Sequence, residues 1–94
     1  MPANKVAAII YGAEWCKPCH DAARYLRQRG VNVVEKDVDS DETAQQEMQK
    51  KLERAKLPPT SSIPIIDVGG QIMIGFSPRA LDRAVEAAQN AKTL

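Results

Sequence analysis

Ninety-four residues bound the chain to one small domain, residues 1–94, able to bury roughly 60–65% of its unfolded surface in a modest core. Hydrophobic residues make up 44% and charged residues 27%, the balance of a soluble globular chain. A formal net charge of +1 gives no electrostatic case for nucleic acid or an anionic membrane, and no run approaches the ~18 apolar residues of a membrane span.

Val6–Tyr11 is continuously apolar and short, the pattern of a strand buried on both faces. It is also short for a signal-peptide core, and Gly12-Ala13-Glu14-Trp15 follows directly without a clear cleavage site. Gly12 to Trp15 reads as a loop. A helix is expected from Cys16 or Lys17 to Arg29, with Cys19, Ala22, Ala23 and Leu26 on its apolar face. Gly30 ends it, with Arg27 and Arg29 in the last turn. Val31–Asp37 reads as a second strand, carrying the β-branched Val31, Val33 and Val34. Asp39, Ser40 and Asp41 are N-cap candidates for a second helix, whose narrow apolar stripe is Ala44, Met48, Leu52 and Ala55. Glu47 and Lys51 stand at i,i+4 on it, and Pro58-Pro59 is expected to stop it. Ile63–Val68 is a third strand, Gly69-Gly70 a hairpin turn, and Gln71–Ile74 a fourth strand. Ser77 caps a last helix from about Pro78 to Gln89, with Ala80, Leu81, Ala84, Val85 and Ala88 facing inward. The order β-α-β-α-β-β-α predicts an α/β fold. Its first half is a right-handed βαβ unit with parallel strands, and the hairpin makes the sheet mixed.

Chemistry concentrates at Trp15-Cys16-Lys17-Pro18-Cys19-His20, which holds the only two cysteines. A secreted domain of this size would usually carry more of them. The expected location is therefore cytoplasmic, where a lone Cys-x-x-Cys is catalytic or metal-binding. Positions i and i+3 at a helix start bring the Cα atoms about 5–6 Å apart, within disulfide range. A ring so small adds little loop entropy to the fold, which favours a reactive role. Cys16 precedes the first turn, near the unpaired N–H groups and the positive dipole end, and is expected to be the more exposed nucleophilic thiolate. Cys19 is expected to lie deeper as the resolving thiol. Lys17 next door can lower the Cys16 pKa further, and Pro18 costs the first turn no hydrogen bond. Trp15 is either a flank for a partner peptide or a packing residue. His20, the only histidine, can tune the pair or simply be a solvated helix side chain.

The same letters carry two rival readings. Cys16-Lys17-Pro18-Cys19-His20 matches the Cys-x-x-Cys-His pattern of c-type haem attachment, with Met48 or Met73 as a possible second axial ligand. A zinc or iron–sulfur module would use Cys16, Cys19 and His20. A structural zinc site wants four protein ligands, so this reading needs a site shared across a dimer. A second feature is Ile63-Pro64, a proline entering a strand. A cis bond there would present the preceding backbone to a substrate strand. The residues alone leave the isomer open.

Ala13-Glu14-Trp15-Cys16-Lys17-Pro18-Cys19 is similar to the thioredoxin active-site stretch Ala-Glu-Trp-Cys-Gly-Pro-Cys, and Ile63-Pro64 resembles the superfamily's cis-proline dipeptide. On these residues the chain resembles the thioredoxin superfamily over roughly residues 5–88. Its length and element order are similar to the smaller glutaredoxin-type fold, a four-stranded mixed sheet flanked by three helices. Three departures qualify the likeness. Ile10 stands where thioredoxins carry a buried Asp, six residues before the nucleophilic Cys. Glu14 and Ala13 stand where glutaredoxins carry a Lys. Arg79 falls in the region where glutaredoxins carry an Asp for glutathione's ammonium group. Gly75-Phe76-Ser77-Pro78 instead resembles the Gly-Phe-x-Pro segment of NrdH-type redoxins, which draw electrons from thioredoxin reductase and serve ribonucleotide reductase.

The resemblance implies a protein-disulfide reductase working through Cys16 and Cys19. Trp15, Lys17, Pro18, Ile63, Pro64, Gly75 and Phe76 would contact the substrate. No tightly bound cofactor and no metal are expected. The implied partners are a disulfide-containing protein and a reductant, either thioredoxin reductase or glutathione. Ser62, Ile63 and Lys17 could contribute to glutathione binding. A monomer is expected, with a potential of roughly −200 to −270 mV.

Overall fold

The computed structural model describes residues 6–60 and 62–92. Its elements are β1 (Ala7–Gly12), α1 (Lys17–Gln28), β2 (Asn32–Asp37), α2 (Glu42–Arg54), β3 (Ile65–Val68), β4 (Gln71–Ile74) and α3 (Pro78–Lys92). The sheet order is β2-β1-β3-β4. β1 and β2 run parallel, while β3 pairs antiparallel with both β1 and β4. This is the mixed α/β sheet that the residue pattern predicts, in the thioredoxin-like, glutaredoxin-type architecture that the resemblance implies.

The alternation of β1 and β3 splits the interior in two. On one face Ala8, Ile10, Ile66 and Val68 meet Cys19, Ala22, Ala23 and Leu26 of α1, and Leu81, Ala84 and Val85 of α3. On the other face Tyr11 and Ile65 meet Met48 and Leu52 of α2. β1 therefore feeds both layers, which explains its unbroken apolar run.

Where boundaries differ from the sequence pattern, local hydrogen bonding explains it. β3 begins at Ile65 rather than Ile63, because Pro64 has no N–H to give the ladder. The Ile63–Pro64 bond is cis. Val31 is not in β2: its N–H bonds Leu26 O while that of Gly30 bonds Arg27 O. Together with Gly30 at φ +78°, this is the paired-bond glycine ending of a helix. Of the three N-cap candidates for α2, Asp41 is the cap, its Oδ1 accepting from Thr43 N and Ala44 N. Ala55, expected in the buried stripe, is instead the exposed C-cap. The stop comes before Pro58-Pro59, because Lys56 at φ +61° turns the chain first. Both residues of the Gly69-Gly70 turn have positive φ, +57° and +96°, as a two-residue hairpin of this kind requires.

Candidate active site

The C-terminal end of β1 sets the position of every reactive group. Gly12 ends the strand, and the Cys16 N–H bonds Ala13 O at 3.0 Å, closing the turn into α1. Cys16 is the N-cap, with extended backbone (φ −86°, ψ 100°), and its Sγ accepts the Cys19 N–H at 3.3 Å. A sulfur held there faces the free N–H groups of the first turn, where negative charge is favoured. Pro18 occupies a first-turn position and forfeits no helical bond. Cys16 and Cys19 form a disulfide, with Cα atoms 5.3 Å apart.

The two sulfurs do not differ in exposure as the sequence suggests. Cys16 is 4% exposed and Cys19 1%. Both residues are buried in the disulfide-bonded state, so what distinguishes them here is capping position. Gly12 explains how Cys19 fits: a Cβ built on Gly12 would stand 2.6 Å from Cys19 Sγ. The sequence treats Gly12 only as the start of a loop. The structure shows it as the floor under the inner sulfur.

The flanks are held by partners distant in sequence. Trp15 is 71% exposed, so it is a surface residue and not a packing one. Its Nε1 donates to Asp39 Oδ2 at 3.3 Å, tying the ring to the loop after β2. Lys17 pairs with Asp21 Oδ2 at 2.8 Å, and this hydrogen bond holds the Asp21 carboxyl below its ordinary range. The Lys17 ammonium is thus committed along the helix, not to Cys16 as the sequence suggests. His20 is held at both nitrogens, Nε2 by Glu14 O at 2.7 Å and Nδ1 by Glu35 Oε1 at 3.0 Å. These two acceptors, the Glu14 carbonyl first, raise its pKa above the ordinary value, against the opposing effect of desolvation. Two acceptors are satisfied together only by the doubly protonated ring. Glu35 also takes Arg27 Nη1 at 3.1 Å, so one β2 carboxylate clasps α1 at two turns.

On the other flank, Ile65 pairs with Tyr11, which places Pro64 one step beyond, beside Gly12. Pro64 is buried, and its carbonyl accepts the Gly75 N–H at 2.8 Å. Ile63 and Phe76 pack against the core cluster that contains both cysteines. Phe76 meets Tyr25 edge-on, with centroids 5.8 Å apart. Tyr25 donates to Asp82, and Arg29 lies 3.6 Å above its ring while bonding the same carboxylate. The segment after β4 is thereby fixed to α1 and α3. The structure thus gathers Cys16, Cys19, Ile63, Pro64, Gly75 and Phe76 at one end of the sheet. Trp15, Lys17 and Pro18 lie exposed at the rim.

Among the described residues no cluster of three or more His, Cys, Asp or Glu could hold a metal. Both ring nitrogens of His20, the expected third ligand, are already engaged. No helix among the described residues is long and apolar enough to cross a membrane.

Comparison with known proteins agrees with this geometry. A Clostridium pasteurianum protein described as an uncharacterized glutaredoxin-like 8.6 kDa protein in the rubredoxin operon is 27% identical over 77 residues, 82% of this chain and 95% of that one. The Archaeoglobus fulgidus glutaredoxin structure superposes with a TM-score of 0.65 at 19% identity, covering 83% of this chain and 84% of its own. The NrdH-redoxin of Escherichia coli, a glutaredoxin-like protein with a thioredoxin-like activity profile, superposes with a TM-score of 0.63 at 25% identity, covering 82% and 92%. The family model for glutaredoxin matches residues 8–73, which include the cysteine pair, the cis-proline and all of the sheet except its end residues Ala7 and Ile74. The chain belongs to the glutaredoxin family, with the thiol–disulfide oxidoreductase chemistry that its cysteine pair supports.

Proposed function

We propose that this chain reduces protein disulfides through Cys16 and Cys19, with electrons drawn from a thioredoxin-reductase-type donor in preference to glutathione. The carrying observation is the cysteine pair closed across the first turn of α1, with Cys16 as its N-cap. The Cys16 thiolate, favoured by the first-turn N–H groups, attacks a substrate disulfide and releases one substrate thiolate. Cys19 then attacks Cys16 Sγ, the second substrate sulfur leaves, and the Cys16–Cys19 disulfide forms. A reductant restores the dithiol. In this reading the backbone of Ile63, ahead of Pro64, pairs with an extended substrate strand, as an exposed edge does in strand addition. Trp15 and Phe76 supply apolar surface on either side.

The preference for donor rests on the start of α3. Its first turn carries no acidic residue, and Arg79 is exposed there. An ammonium group such as that of glutathione finds no carboxylate on that turn. The Gly75-Phe76-Ser77-Pro78 segment resembles the one in NrdH-type redoxins, and the Escherichia coli protein of that type is the neighbour with a thioredoxin-like activity profile.

Insulin reduction coupled either to thioredoxin reductase with NADPH, or to glutathione with glutathione reductase and NADPH, tests both parts. The first coupling is expected to be the faster. Cys16→Ser should abolish turnover, and Cys19→Ser should accumulate mixed disulfides. Failure of both couplings would overturn the proposed activity, and a faster glutathione coupling would overturn the donor assignment.

A further inference from the structure

Cys19 can attack Cys16 only after its thiol loses a proton, and its surroundings restrict where that proton goes. Cys19 is 1% exposed and belongs to an apolar cluster. Among the described residues the one fully buried side chain with a polar group besides the cysteines is Tyr11, and it lies on the opposite, α2 face of the sheet. Ile10, at the position of the thioredoxin aspartate, cannot accept a proton. One side of Cys19 is open: a pocket of about 270 Å³ which it lines together with Gly12, Glu14, His20, Glu35 and Asp37.

Asp37 is the carboxylate that the sheet register brings to this sulfur. Gly12 pairs with Asp37 across the parallel β1–β2 ladder. Paired residues of neighbouring strands project to the same face, about 4.8 Å apart. The missing Cβ of Gly12 points at Cys19 Sγ, so the Asp37 side chain rises on the α1 face beside that sulfur. Asp37 is partly buried. Its Oδ1 accepts from Asp39 N at 2.8 Å and Ser40 N at 3.2 Å, which fixes the carboxylate, while Oδ2 takes no hydrogen bond from the described residues.

The other charged groups around the pocket are engaged or in solvent. From α1, His20 and Arg27 are bonded to Glu35 of β2. Lys36, the residue between Glu35 and Asp37, sends its ammonium to Glu47 of α2. In the loop after β2, Asp39 is bonded to Trp15, and Asp41 caps α2. Glu14 is exposed at the mouth.

We infer that Asp37 is the base for the resolving step, replacing from the neighbouring strand the carboxylate that β1 lacks. This rests on the proposed roles of Cys16 and Cys19. In the mixed disulfide the Cys19 S–H gives its proton to Asp37, and the Cys19 sulfur attacks Cys16 Sγ. The Cys16–Cys19 bond forms as the bond from Cys16 to the substrate sulfur breaks, and the substrate leaves as a thiolate that solvent protonates. When a donor thiolate later opens the disulfide at Cys16, the same carboxylic acid returns its proton to Cys19.

Reaction of the reduced chain with 5,5′-dithiobis(2-nitrobenzoate), followed by stopped flow, separates the two steps. Attack by Cys16 releases the first thionitrobenzoate, and attack by Cys19 releases the second. Asp37→Asn keeps an oxygen for the Asp39 and Ser40 N–H groups, and Asp37→Ser offers a hydroxyl for the same turn should the first variant fail to fold. The second release should slow about 100-fold at pH 7, the low end of general-base effects, while the first stays at the wild-type rate. The slowed release should regain speed as pH rises and Cys19 ionises unaided. An unchanged second release would overturn the inference. So would equal slowing of both releases, or a slowing found only in Glu35→Gln. A first release that persists in Cys16→Ser would instead overturn the role of Cys16 itself, and is read separately.

Discussion

A methyl group on Gly12 would stand 2.6 Å from Cys19 Sγ and 2.8 Å from its Cβ. The atoms in the way are a short side chain anchored in α1, not a flexible end, so something must shift. Gly12→Ala should destabilise the chain by about 1–3 kcal/mol, the usual cost of overpacking. It should also slow closure of the Cys16–Cys19 disulfide by moving the inner sulfur off its line. Urea denaturation of the oxidised chain and the rate of disulfide formation would measure the two effects. Wild-type stability would show that the approach relaxes without strain. The cysteines themselves were legible in the sequence, because three residues along a helix settle their proximity. Gly12 was not, since its demand arises from contact with a side chain seven positions on. For the same reason Trp15 and Lys17 were legible as neighbours of the pair but not in their partners. Asp39 lies 24 residues from Trp15, and Asp21 takes the charge that Lys17 was expected to lend Cys16.

Helices α1 and α2 end alike, though their sequences differ. After α1, Gly30 N bonds Arg27 O and Val31 N bonds Leu26 O. After α2, Lys56 N bonds Glu53 O and Leu57 N bonds Leu52 O. Glycine takes the left-handed position in the first case and lysine in the second. The glycine ending was legible because only glycine adopts that conformation without a steric penalty. The lysine ending was not, because lysine carries no such signal and Pro58-Pro59 just beyond it is the stronger local stop. A side chain at positive φ costs roughly 1–2 kcal/mol, of which glycine's greater unfolded-state freedom returns part. Lys56→Gly should therefore stabilise the chain by about 0.5–1 kcal/mol with no loss of activity. The denaturation midpoint would show it. An unchanged or lower midpoint would mean that the lysine stem packs well enough to offset its backbone cost.

Across the whole molecule the two faces of the sheet are held differently. The α1 and α3 face is closed by a broad apolar cluster, but α2 buries only Ala44, Met48 and Leu52. Polar contacts make up the difference. Tyr11, fully buried, donates its hydroxyl to Glu47 of α2. Lys36 of β2 reaches the same carboxylate at 2.8 Å, and Lys51 of α2 reaches Asp67 of β3 at 2.6 Å. The Glu47–Lys51 pair expected along the helix is the weak member at 4.0 Å, because each residue has a closer partner in the sheet. Helical spacing shows which residues can meet on one helix. Partners in the sheet depend on strand register, which no local pattern reveals, and the pairing of Gly12 with Asp37 was hidden for the same reason. Removing Glu47 strands a buried phenol hydroxyl, and an orphaned buried donor costs about 1–3 kcal/mol. Glu47→Ala should thus destabilise the chain by about 2 kcal/mol at pH 7. Tyr11→Phe in that background should cost little more, since the orphan is then gone. Glu47→Gln keeps an acceptor but loses the charge, which isolates the effect of pH. The hydrogen bonds from Lys36 and then Tyr11 hold the Glu47 carboxyl below its ordinary value of 4.5. A carboxyl depressed in the folded state contributes its stability above the unfolded pKa and loses it as pH falls through the folded one. The stability gap between wild type and Glu47→Gln should therefore be constant near neutrality and close progressively below about pH 4.5. Urea midpoints of the two proteins between pH 7 and pH 3 would trace it. A gap independent of pH would show that the ionised carboxylate contributes nothing beyond its oxygen.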